Sequence, residues 1–163
     1  MELANGNLTS LRYKEIFKIW TQIGVNNGYI ASNHAFFKHA VDKKLKAIIV
    51  DFVQCLKEEN KQLTALLKDN GVLAPTALID YGKLKMKNRR GTKAINDTEI
   101  STILSMNIAS SVISVSQALE MSVKKKHTAK YGELHMRYAI LGAKLIQLSN
   151  DRGWLLAPAT IQR

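Results

Sequence analysis

Two stretches of this chain end in the same way. Lys68-Asp69-Asn70-Gly71-Val72-Leu73-Ala74-Pro75 closes one long helical pattern, and Asn150-Asp151-Arg152-Gly153-Trp154-Leu155-Leu156-Ala157-Pro158 closes another, its glycine 82 positions after the first. In each, glycine stands where a helix C-terminus needs a left-handed residue. Apolar residues follow, and proline then prevents the helix from restarting. The same shift superposes the apolar stripes. Ile49 falls on Tyr131, Phe52 on Leu134, Leu56 on Tyr138, Leu63 on Leu145 and Leu66 on Leu148, while in the preceding helix Ile30 falls on Val112 and Phe37 on Leu119. This repetition points to a duplicated helical hairpin packed on itself, an all-α four-helix bundle.

Helix 1 is expected from Thr9, a capping residue with Leu8 stapled to Tyr13, through Ile16, Ile19, Ile23, Ile30 and Phe37 to about His39. Gly24 and Gly28 lie inside it and cost on the order of 1 kcal/mol each, so a close approach of another helix would be a reason for them. Helix 2 begins near Asp42, carries Leu45, Ile49, Phe52, Leu56, Leu63 and Leu66, and stops at Gly71. The short gap between the two makes them antiparallel. Helix 3 starts at Asn96 or Asp97, with Asp97 and Glu99 near its positive end, and carries Leu104, Ile108, Val112, Val115 and Leu119. Lys124-Lys125-Lys126-His127 interrupts the pattern and is expected to form the turn into helix 4, which carries Tyr131, Leu134, Tyr138, Leu141, Leu145 and Leu148 and ends at Gly153. Residues 1–163 thus read as one domain, with hairpin 1 at about 9–73, a basic connection at about 74–96 and hairpin 2 at about 97–157. Fully extended, the connection reaches ~70 Å, against ~45 Å for a 30-residue helix, so it can run the length of a bundle.

Hydrophobic residues make up 46% of the 163, enough for a core, and no run approaches the ~18 apolar residues of a membrane span. The N-terminal residues lack the basic start and apolar stretch of an export signal. Cys55, the single cysteine, leaves no intramolecular disulfide, and among Phe52, Val53 and Leu56 it reads as a buried, inert thiol. These features imply an intracellular, cytoplasmic setting. Lys and Arg number 24 against 13 Asp and Glu, a net charge of +11 that favours polyanions such as nucleic acid, anionic lipid or an acidic protein surface. The candidate contacts are Lys83, Lys85, Lys87, Arg89 and Arg90 in the connection and Lys124, Lys125 and Lys126 at the second turn. Only Tyr81 lies near for base stacking, which gives an RNA platform little support. If the connection crosses the bundle, the basic turns at Lys43-Lys44 and Lys124–Lys126 sit at opposite ends; otherwise they form one patch.

The two halves disagree at three core positions. Glu59 stands where the second half has Leu141, Asn26 where it has Ile108, and Asn33 where it has Val115; His34 lies beside Asn33. Buried, such groups need partners or cost several kcal/mol. They would form a hydrogen-bonded network that fixes helix register, hold a metal, or face solvent or a partner chain. Di-metal bundles use Glu on two helices and Glu-x-x-His on the other two, and this chain has no Glu-x-x-His. Glu133 and His135 project about 200° apart on a helix and cannot share an ion. Neither a GxGxxG, a P-loop, a CxxC nor a GxSxG is present. The expectation is therefore no catalytic residue, no cofactor and no metal site, with Glu59, Asn26, Asn33 and His34 the residues any metal would have to use.

Leu8-Thr9-Ser10, Ile19-Trp20-Thr21 and Glu58-Glu59-Asn60-Lys61-Gln62-Leu63, leading to Lys68-Asp69-Asn70-Gly71 and Pro75, resemble an uncharacterised ferritin-like bundle family of Bacillus-type spore formers, often labelled spore coat protein. The resemblance implies a ferritin-like four-helix bundle with a long crossover between helices 2 and 3. It implies no established enzyme activity. The expected function is a non-enzymatic structural or interaction protein, a spore coat component that forms homo-oligomers or docks on other coat proteins. Faces bearing Trp20, Tyr29 and Phe36, off the main stripe, would supply the contact. The alternatives are a ferritin-like metal-dependent oxidase with an atypical site on Glu59 and His34, and a polyanion- or nucleic-acid-binding module on the connection and turn lysines.

Overall fold

The structure is a computed structural model that describes residues 13–76, 94–121 and 125–155, with the backbone alone at 120, 121 and 125–127. It contains four helices, α1 (Tyr13–His39), α2 (Lys43–Asp69), α3 (Asp97–Met121) and α4 (Lys125–Asp151), and no strand among the described residues. α2 and α4 begin and end 82 positions apart, and so do the ends of α1 and α3.

The helix ends follow from local chemistry. Asp42 caps α2, its Oδ1 accepting from the backbone N–H groups of Lys44 (2.7 Å) and Leu45 (3.0 Å). Asn96 and Glu99 bond reciprocally at the start of α3: the Glu99 N–H donates to Asn96 Oδ1, and the Asn96 N–H donates to Glu99 Oε2, each at 2.9 Å. At the other ends Gly71 and Gly153 adopt φ of 72° and 68°. The N–H of Val72 donates to the Leu67 carbonyl and that of Gly71 to the Lys68 carbonyl; Trp154 to Ser149 and Gly153 to Asn150 repeat the pair. The repeated terminator is one Schellman motif built twice.

Four expectations change. Lys125 already opens α4, so Lys125, Lys126 and His127 are helical and do not form the turn. Phe37 is 40% exposed, with Lys46 Nζ 5.2 Å above its ring, while Phe36 and Ala40 continue the inner stripe. Tyr29 and Phe36 pack against the core, which leaves Trp20 as the exposed member of that trio, in line with exposed Tyr13 and Phe17. A Cβ at Gly24 or Gly28 would meet nothing within 4 Å, so no helix of the bundle approaches there; the tight spot is Gly142, where a Cβ would lie 3.5 Å from Ile108 Cγ2. The Thr9 cap, the Leu8 staple and most of the connection fall outside the described residues.

Helix direction is fixed at one end of the bundle. The Asp97 carboxylate accepts the backbone N–H groups of Val41 and Asp42, each at 2.8 Å, and Arg152 Nε donates to Asp42 Oδ2, also at 2.8 Å. The starts of α2 and α3 and the end of α4 therefore meet. α2 and α3 run in the same direction, α2 and α4 run antiparallel, and the connection between Gly71 and Asn96 joins opposite ends. The basic residues that open α2 and α4 accordingly lie at opposite ends. α2 and α4 form the central seam, filled by Leu45, Ile49, Phe52, Leu56, Leu63 and Leu67 against Tyr131, Leu134, Tyr138, Leu141, Leu145 and Leu148, all buried. Phe52 stacks edge-on against Tyr138, ring centroids 5.8 Å apart, and tilts against Tyr29 at 6.4 Å.

Candidate functional site

Half-way along the seam the core turns polar. Glu59, on the stripe that otherwise carries leucines, is 1% exposed, and Asn26 and Asn33 on α1 are fully enclosed. All three residues singled out by the repeat mismatches are inside, and each takes a different partner. Tyr138 OH donates to Glu59 Oε2 at 2.7 Å across the seam. Asn26 accepts from Gln22 Nε2 at 2.9 Å and donates to Asn60 Oδ1 at 3.0 Å; Asn60 in turn donates to Asn27 Oδ1 at 2.9 Å. This amide chain ties α1 to α2. Asn33 Nδ2 turns back on its own helix, to the Tyr29 carbonyl at 2.8 Å.

The repeat explains the layout. Asn26 and Asn60 correspond to Ile108 and Gly142, where the second hairpin packs an apolar branch against a bare backbone. What hairpin 2 joins by close approach, hairpin 1 joins by hydrogen bonds. Likewise the Glu59–Tyr138 pair corresponds to Leu141 and Leu56, both buried, on the other side of the molecule's approximate two-fold axis.

Among the described residues, three enclosed side-chain polar atoms have no hydrogen-bond partner: Glu59 Oε1, Asn33 Oδ1 and the Tyr131 hydroxyl. Burial pushes the Glu59 carboxyl up to about 7, with the Tyr138 hydroxyl and the nearby Asn26 amide pulling the other way. Burial and the Glu59 charge push Tyr131 up to about 12 and raise Tyr138 further. Near neutral pH, Glu59 therefore exchanges a proton between a charged form that Tyr138 serves and a neutral form that the surrounding apolar core favours. The chain neighbours of the pair, Glu58 and Arg137, form an ion pair that bridges α2 and α4 at the surface beside a groove of ≈ 200 Å³ that Lys61, Lys130 and Glu133 also line. Burial raises the Cys55 thiol as well, so this sulfur stays protonated and unreactive.

His34 is half-buried next to Asn33. Among the described residues no three His, Cys, Asp or Glu side chains come together in a way that could hold a metal ion. Of the polyanion candidates, Lys83, Lys85, Lys87, Arg89, Arg90 and Lys124 lie outside the described residues, and Lys125 and Lys126 are described only as backbone in the first turn of α4. The sequence reading missed Tyr138, Tyr131 and Asn60. The signal was two phenols on a core stripe, because a buried Tyr hydroxyl needs a partner and Glu59 was the polar group on offer.

Among known protein families, the one described as "Protein of unknown function (DUF3231)" matches residues 1–163. The chain belongs to the DUF3231 family. This DUF3231 protein is 24% identical over 148 residues to "Uncharacterized protein YvdQ" of Bacillus subtilis (strain 168), a match covering 91% of this chain and 87% of that one. It also resembles the crystal structure of a "putative spore coat protein" from Bacillus halodurans C-125, with a TM-score of 0.76 and 31% identity over 94% of this chain and 97% of that one. The all-α, four-helix architecture of the DUF3231 chain is thus shared with a solved relative over almost its whole length.

Proposed function

We propose that this DUF3231 protein is a non-enzymatic structural component of the spore coat, acting through self-association and contacts with other coat proteins. The observation that carries this reading is the near full-length likeness to the Bacillus halodurans protein that bears the coat description. The polar layer fits a structural role. Glu59 is sealed from solvent, it accepts a hydrogen bond from a tyrosine of the opposite hairpin, and the amide chain holds α1 and α2 in register. In this reading Glu59 stores no substrate chemistry; it selects one alignment of the hairpins. The net charge of +11 favours acidic surfaces among the coat partners. Immunoblotting of coat and core fractions from purified spores of the producing organism tests the reading. The protein is expected in the coat extract. Its presence only in vegetative cells or in the spore core would overturn the assignment. A second arm tests the nucleic-acid alternative: binding to duplex DNA that falls steeply between low and moderate salt would favour it over the coat reading.

A further inference from the structure

From Ile100 to Leu119, α3 contains no Asp, Glu, Lys or Arg, in a chain where these residues make up 23%. The bundle uses only one side of this helix. Leu104, Ile108, Ser111, Val115 and Ala118 point inward and are buried. On the opposite side Thr102, Met106, Ala109, Ile113 and Ser116 are exposed, spaced by the same alternation of four and three residues. Met106 is 68% and Ile113 is 61% exposed. A helix without charge all round is one that is covered all round, yet here half of it is bare.

The bare face continues onto α4. Met136, Ala139, Ala143 and Ile146 are exposed there, while Lys130, Glu133 and Arg137 line a groove against α2, with Ile140 and Lys144 along the same edge. A groove of ≈ 280 Å³ joins the two helices, with Ser105, Met106, Ile146, Trp154 and Leu155 in its walls.

We infer that this face binds a second copy of the chain, α3 packing antiparallel on α3 across a two-fold axis beside Ala109. The spacing carries the choice of occupant. Thr102 lies seven residues before Ala109 and Ser116 seven after, with Met106 and Ile113 between. The two large side chains of the stripe thus stand three and four residues from Ala109, so an antiparallel pair brings each onto the other, the reciprocal contact of a two-fold interface. Antiparallel pairing sets Met106 against Ile113 of the second copy, twice. Ala109 and Ser110 at the axis let the backbones approach. The charge distribution agrees: two copies at +11 repel, and the face on which they meet with least penalty is one that carries no charge. An acidic partner would find nothing here to pair with.

This inference deepens the self-association reading above, and its test needs no spores, so the two can fail separately. The purified full chain is sedimented at roughly 0.1 mM and below, where a dimer with micromolar affinity would be populated. The expected result is a dimer. Met106→Glu, at an exposed position, should weaken it roughly thirtyfold or more while the helical circular dichroism is retained. Adding Ile113→Lys should restore part of the affinity, because each new glutamate then faces a lysine of the other copy. Independently, Ala109→Cys should form an intermolecular disulfide on mild oxidation, whereas Gln54→Cys on the exposed side of α2 should not. A wild-type monomer throughout this range overturns the proposal. So does a dimer that Met106→Glu leaves intact and Ala109→Cys fails to cross-link. A wild-type monomer that instead co-sediments with anionic vesicles would assign the face to lipid, which also overturns it.

Discussion

Glu59 is the residue whose chemistry most departs from its surroundings, and its effect on stability has a definite sign. Its folded-state value of about 7 lies above the 4.5 of the unfolded chain. Between those values the folded state holds the extra proton, so stability falls as pH rises from about 4.5 to about 7 and is level above that. The full span is on the order of 3 kcal/mol. Asp42 works oppositely: burial raises its value, but the Leu45 N–H, the Arg152 guanidinium and the Lys44 N–H together lower it. Its contribution is present above the unfolded value and disappears as pH falls through the folded one. Glu59→Gln keeps the shape and an acceptor for Tyr138. It should flatten the fall between about pH 4.5 and about pH 7, leaving the variant about 1–3 kcal/mol more stable than wild type at pH 8 and little changed at pH 4.5, as read by urea unfolding at each pH. A fall across that window that persists in the variant would remove Glu59 as its source. Glu59, Asn26 and Asn33 were legible in the sequence because the second hairpin supplies an apolar control at each position. Tyr138 was not, since a phenol on a heptad stripe scores as apolar bulk until the residue facing it is known.

Helix ends were legible at the scale of elements, because capping is local chemistry: Asp42, the Asn96–Glu99 box, Gly71 and Gly153 each act within a turn of their own position. The inner face of α1 was legible only in part. The most deeply buried row is Ile19, Asn26, Asn33 and Ala40, seven residues apart, and two of its members are amides. Ile16, Ile23, Ile30 and Phe37 flank that row on one side and Tyr29 and Phe36 on the other; at the end of the helix the Phe36 side packs inward and Phe37 turns out beneath Lys46. α3 likewise buries Leu104, Ser111 and Ala118, seven residues apart, with half-buried Val112 and Leu119 on the flank. Glycine separates the local from the tertiary argument. Gly28 sits mid-helix with open space where a Cβ would go, so Gly28→Ala should raise stability by about 0.5–1 kcal/mol. Gly71 has the same open space but a φ of 72°, so Gly71→Ala should lower stability by about 1–2 kcal/mol. Thermal melts that move in the same direction for both would contradict this account of the two positions.

At the scale of the whole molecule, the repeat shows what packs but not which way it runs. Two copies of a hairpin can be laid together with α2 and α3 parallel or antiparallel, and the stripes are buried either way. The choice is made by a side chain outside every stripe. Asp97, at the start of α3, takes the two N–H groups of Val41 and Asp42 that the α1–α2 turn leaves free, while Asp42 uses its own carboxylate to cap α2 and to receive Arg152 from the end of α4. Three chain segments far apart in sequence are thereby tied at one end. Hydrogen bonds to a charged acceptor contribute about 1.5–3 kcal/mol each where they are shielded, and less at an exposed site. Asp97→Ala should therefore lower stability by about 2–3 kcal/mol, whereas Arg152→Ala, whose side chain is 44% exposed, should lower it by less than about 1 kcal/mol. Asp97→Asn should behave nearly like the alanine variant, because an amide turns one of its two acceptors into a donor aimed at an N–H. Hydrogen exchange localises the effect: the Val41 and Asp42 amides should lose protection in both Asp97 variants, while the α2–α4 seam near Glu59 keeps its own. Unchanged exchange at those two amides would mean that the core, and not this knot, sets the direction of the hairpins.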